Sequence, residues 1–213
     1  MLVMAVTNNK RFINNMNTFY IVRHGETENN RSKRLSGWVD TPLTSEGLKV
    51  IDGVIGILKP LNIDEIYSSD LGRAFITAYR IAQNLNYSKE IYAISGLREV
   101  NYGDAAHMYS AQAYSIYPEL DRGTHYTPPN GESLDYMQQR VFATLNSIDK
   151  SFTDSNILLV SHSGVMAAIR AKHLGVDFGQ HNISEAYPHN YVGKFTISGE
   201  EIVSWERVKK QLS

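Results

Sequence analysis

The chain has 213 residues, 42% of them hydrophobic, a formal charge of −1 and no cysteine. That length and apolar content suit one globular domain with a sizeable core, and the charge gives no global pull towards nucleic acid or an anionic membrane. Thiolate nucleophiles, disulfide frameworks and cysteine-based zinc sites are excluded.

In chain order, residues 1–17 are Asn-rich and aperiodic and read as an N-terminal tail, with residues 18–213 as a single domain. Their opening MLVMAV is shorter than a signal-peptide core of ~7–15 residues. No apolar run approaches the ~18 residues of a membrane span, so a cytoplasmic protein is expected. The apolar run FYIV (19–22) predicts a buried strand. A helix follows Thr44, with Leu48, Ile51, Ile55 and Leu58 on one face, and ends before Pro60. DEIYSS (64–69) is a strand, residues 71–85 carry a helical apolar stripe, and EIYAI (90–94) is a strand. Residues 101–130 hold five tyrosines without a period and read as a lid-like insertion. Ser133 caps a helix that buries Leu134, Met137, Val141, Leu145 and Ile148. NILLV (156–160) is a strand, and the helix that opens at Gly164 stops at Gly175. YVGKFTI and EEIVSWERV around Ser198-Gly199 predict a hairpin, an antiparallel edge on the same sheet. Strands alternating with helices give an α/β fold: a mostly parallel central sheet with helices on both faces.

The chemistry concentrates where strands end. FYIVRHGETENN runs from a strand straight into Arg23, His24 and Gly25, and NILLVSHSG repeats the pattern with His162. Ligands of open α/β sheets bind outside the carboxyl ends of the strands, so the two histidines belong to a shared site. A third strand leads to Arg73 in the first turn of the next helix, whose N-terminal N–H groups favour an anion. Two guanidinium forks beside two imidazoles describe a phosphate pocket. His107, His125, His173, His181 and His189 show no metal-ligand spacing, so neither a metal nor a cofactor is expected.

RHGETENN resembles the signature of the histidine phosphatase superfamily, which includes the cofactor-dependent phosphoglycerate mutases. GWVDTPLTSEG, IYSSDLGRAFITA, LREVNYG, NGES and LLVSHSG are similar to that family's further blocks, in the same order, over nearly the whole chain. The resemblance implies a phosphoglycerate mutase-like fold and a metal-independent phosphatase working through a phosphohistidine on His24. It implies Glu99 as general acid and base, with Arg23, Arg73, His162 and Asn30 on the phosphoryl oxygens and Thr27, Gly25 and Ser163 completing the substrate site. Flanking guanidiniums should keep the imidazole neutral, with one nitrogen attacking and the other held by an acceptor.

The chain also departs from the family. DAAH follows Gly103 where many of its phosphatases have Trp-Glu-Gly, and Ser163 stands where glycine is commoner. Asn29 replaces the tryptophan of the mutases, and their longer arginine-containing insertion is missing. The last two differences favour hydrolysis of a small phosphorylated metabolite over mutase activity. A cofactor-dependent phosphoglycerate mutase and a non-catalytic phospholigand-binding protein are the alternatives. Asn30 also reads as a local backbone cap, and Gly131-Glu132-Ser133 as a turn and helix cap. Monomer and homodimer are equally compatible with the sequence.

Overall fold

The computed structural model describes residues 16–121, 124–178 and 187–209, so the expectation of an N-terminal tail lies almost wholly outside the described residues. Strand β1 (Thr18–Arg23) lies at the centre of a six-stranded sheet with β2 (Glu65–Ser69), β3 (Ile91–Ile94), β4 (Asn156–Ser161), β5 (Val192–Ser198) and β6 (Glu201–Val208). The order is β3-β2-β4-β1-β5-β6. β3, β2, β4 and β1 are mutually parallel, and β5 and β6 form the antiparallel hairpin at the edge.

Six helices appear among the described residues: α1 (Glu28–Arg31), α2 (Ser45–Leu58), α3 (Gly72–Asn84), α4 (Ser110–Ile116), α5 (Leu134–Ser151) and α6 (Ser163–Leu174). Thr44 and Ser133 cap α2 and α5 through their side chains, and Gly175 closes α6 in the left-handed conformation at φ 65°. The short α1 and α4 had no periodic signal. In residues 101–130 the structure has α4 flanked by 3-10 turns at Gly103–Ala105 and Pro118–Asp121.

The period of two along the central strands makes two cores. Phe19, Ile21, Ile157 and Leu159 face α5 and α6, where Met137, Val141, Leu145 and Ile169 are fully buried. Tyr20, Val22, Leu158 and Val160 face α2 and α3, against Ile51, Val54, Leu58, Ala78 and Ile81. Both faces of β1 and β4 are covered, which is why these strands read as unbroken apolar runs. The register pairs Arg23 with Ser161, so the next residue on each strand, His24 and His162, emerges at the same end of the sheet.

Candidate active site

Each predicted residue of the strand-end cluster is delivered by a parallel strand or by the helix after it. His24 is 4% exposed and His162 is fully buried, with ring centroids 5.1 Å apart. His24 Nδ1 lies 2.7 Å from the Gly25 carbonyl oxygen. A carbonyl only accepts, so Nδ1 carries the proton and Nε2 holds a lone pair. That Nε2 receives a hydrogen bond from Arg73 Nε at 3.3 Å. The acceptor expected behind His24 is therefore its neighbour's backbone. Burial, then Arg73, His162, Arg23 and His189, hold the His24 pKa well below the usual imidazole value. Burial and the arginines do the same for His162. Its Nδ1 faces Arg73 Nη2 at 3.4 Å, and its Nε2 lies 2.9 Å from Ser69 Oγ at the end of β2.

The two arginines differ in what they have left to give. All five Arg73 donors have partners: the two imidazoles, the carbonyls of Gly37 and Val39, and Asp40 at 2.9 Å. Arg23 Nη1 donates to the Tyr187 carbonyl at 3.0 Å, while its buried Nε has no hydrogen-bond partner. Buried donors are nearly always satisfied, which makes this N–H the group with most to gain from an incoming oxyanion.

One expectation is corrected here. The N-terminus of α3 is already filled, because the Asp40 carboxylate accepts from the N–H groups of Gly72 and Arg73. The α3 terminus therefore brings Arg73 to the site by its side chain alone. The start of α6 is filled in the same way: Glu99 Oε2 accepts from the Gly164 N–H at 3.1 Å and Oε1 from the Val100 N–H at 3.0 Å. Each carboxylate oxygen keeps a second lone pair. Glu99 lies near enough to Arg23 and Arg73 to raise the proton affinity of both against the lowering effect of burial.

The segment carrying Glu99 is braced by residues that the sequence reading left unassigned or took as a cap. Arg140 of α5 donates to the carbonyls of Gly96, Arg98 and Glu99 and grips Glu132 by two hydrogen bonds of 3.0 and 2.7 Å. Trp38 Nε1 donates to the same Glu99 carbonyl at 2.8 Å, and Arg98 stacks on the indole. Tyr102 is close to Glu99 and Arg23, and burial first, then Glu99, raise its phenol pKa well above 10. It stays a neutral phenol.

Other residues of the resemblance make local contacts. Thr27 and Asn30 form a capping box on α1, with Asn30 Oδ1 accepting from both Thr27 N–H and Oγ1 and leaving only Nδ2 uncommitted. Gly25 is a close-packing residue: a Cβ there would meet Ile51 Cδ1 at 2.8 Å, and its N–H donates to Thr77 Oγ1 at 3.1 Å. Ser163 is the buried first residue of α6.

A mostly parallel sheet with two buried imidazoles and two guanidiniums at its carboxyl edge defines an α/β protein with a candidate anion site. The profile of the histidine phosphatase superfamily, branch 1, matches residues 19–206, and the chain belongs to that superfamily. It is 37% identical over 162 residues to the protein named probable phosphoglycerate mutase GpmB of Escherichia coli, covering 74% of each chain. The solved structure of Bacillus stearothermophilus YhfR superposes with a TM-score of 0.78 at 26% identity, over 92% of this chain and 98% of that one. A mycobacterial glucosyl-3-phosphoglycerate phosphatase shares the fold with a TM-score of 0.74 at 24% identity, over 89% and 96%.

Proposed function

We infer that the protein hydrolyses a small phosphomonoester through a phosphohistidine on His24. The observation that carries this reading is the fixed tautomer: Nδ1–H is tied to the Gly25 carbonyl, so the Nε2 lone pair faces the guanidiniums. Phosphoryl transfer asks the protein chiefly for positioning and charge neutralisation. In the first step His24 Nε2 bonds to phosphorus as the P–O bond to the alcohol breaks. Glu99, as the acid, gives the departing oxygen its proton. In the second step water bonds to phosphorus, its proton goes to the Glu99 carboxylate, and the P–N bond returns its electron pair to Nε2. Arg23 and Arg73 hold the equatorial oxygens, those on Arg73 displacing its two long hydrogen bonds to the imidazoles. The GpmB likeness favours a second reading, in which the phosphohistidine returns the phosphoryl group to a phosphoglycerate.

The test is phosphate release from p-nitrophenyl phosphate and a panel of small phosphomonoesters with a chelator present. Wild type is expected to release phosphate with acid-labile phosphate on His24, and His24→Ala to lose at least about 10³-fold in rate. Full activity in His24→Ala sinks the reading. Isomerisation primed by bisphosphoglycerate without net release establishes the mutase instead.

A further inference from the structure

A third histidine touches the first. The β1–β5 ladder ends at Val22 opposite Val192, so the His24 carbonyl has no strand partner on that side. On the other side its N–H donates to the Ser161 carbonyl at 2.9 Å. The carbonyl is taken up by the His189 side chain, whose Nδ1 lies 2.6 Å away. The rings are 5.6 Å apart and tilted by 59°. Two residues earlier, the Tyr187 carbonyl accepts from Arg23. The stretch Tyr187-Pro188-His189 thus grips two successive residues at the end of β1, and Pro188 stiffens it.

What this grip controls follows from Gly25. The His24–Gly25 peptide plane is pinned at its oxygen by His189 and at its N–H by Thr77 Oγ1. The next carbonyl, that of Gly25, holds the His24 ring through Nδ1. Glycine is the residue whose backbone rotates most freely, so pinning the peptide before it removes part of the freedom by which the Gly25 carbonyl could turn from the ring. Burial and Arg23 lower the His189 pKa to about 4, so the ring is neutral with its proton on Nδ1, the atom that makes the bond.

We propose that His189 is a positioning residue for the His24 imidazole, acting through the His24–Gly25 peptide rather than on the phosphoryl group. This rests on the reading of His24 as nucleophile. Misplacement of a reacting group by about 1 Å costs on the order of 10²-fold in rate. Losing the clamp should therefore slow phosphorylation of His24 while leaving substrate affinity almost unchanged.

The variants His189→Asn, His189→Gln and His189→Ala separate the roles. An asparagine amide places an N–H where Nδ1 stands, a glutamine amide places one where Nε2 stands, and alanine removes both. The burst of nitrophenolate from p-nitrophenyl phosphate reports phosphoenzyme formation. It is expected to slow by at least about tenfold in His189→Ala and His189→Gln, with the substrate Kd taken from the concentration dependence of the burst rate within about twofold, and to recover to within about threefold in His189→Asn. A wild-type burst rate in His189→Ala overturns the proposal. So does an asparagine variant as slow as alanine, since the imidazole itself would then be required.

If wild type shows no burst and His24→Ala turns over normally, the nucleophile reading has failed. The clamp is then judged on the ring nitrogens of His24 by 15N NMR. One sharp Nδ1–H tautomer in wild type and His189→Asn, broadened in His189→Ala, supports it; identical spectra in all three overturn it.

Discussion

Single residues decide the chemistry because their protons are assigned by fixed partners. His24 has one nitrogen committed to a carbonyl and the other to the pocket, and burial keeps the ring neutral. Glu99 is placed by two backbone N–H groups rather than by a side-chain partner. Replacing it with glutamine preserves size but removes the group that gives and takes the proton. Glu99→Gln is expected to lower kcat by about 10²–10⁴-fold while leaving phosphate or vanadate affinity within a few-fold, measured by steady-state kinetics and competition. Arg23, His24, Arg73 and His162 could be brought together from sequence because each sits at or just beyond a strand end. Asp40, Trp38, Tyr102, Arg140 and His189 could not. Their contacts join positions dozens of residues apart, such as the 165 between His189 and His24, and leave no local pattern.

At the scale of elements, the site depends on how tightly a loop and a helix start approach each other. A Cβ on Gly164 would collide with Glu99 Oε1, so the glycine after Ser163 makes room for the carboxylate at the start of α6. Gly164→Ala should push Glu99 aside while leaving α6 helical, since alanine is the better helix former. Activity is expected to fall by at least about 10²-fold with a circular dichroism spectrum like wild type. The long strands and the helices α2, α3, α5 and α6 announced themselves by period, caps and the closing glycine. Within residues 101–130 the helix α4 and the turns around it pack a small cluster of Leu35, Ala105 and Ala113. Helices this short bury too few residues to repeat a pattern.

Across the whole molecule, the sheet buries several imidazoles in neutral form, and that makes stability depend on pH. The unfolded chain takes up histidine protons near pH 6.5, whereas folded His24 and His162 take them up only well below that and His189 near about 4. Below pH about 6.5 the unfolded state therefore binds more protons than the folded state, and stability falls as pH falls. Thermal unfolding should show Tm declining from about pH 6.5 towards 4, the His189 share being complete near 4. His189→Asn should flatten that slope by removing one proton from the balance.

The carboxylate of Asp40, seated on the start of α3 and paired with Arg73, bears on how the protein parts with its product. Of the two guanidiniums, Arg73 is opposed by the Asp40 carboxylate, and the imidazoles stay neutral. On the proposed hydrolytic function, the site would hold a phosphoryl group by short contacts rather than by a far-reaching field, and released phosphate would meet little attraction on its way out. Turnover is expected to be insensitive to ionic strength and weakly inhibited by phosphate. Asp40→Asn, which unbalances the charge, should tighten phosphate inhibition by about tenfold and make kcat/KM fall with added salt. A wild type already strongly inhibited by phosphate would contradict this. On that expectation, an acid stationed beside the site arginine would serve as a release device, exchanging affinity for speed of emptying.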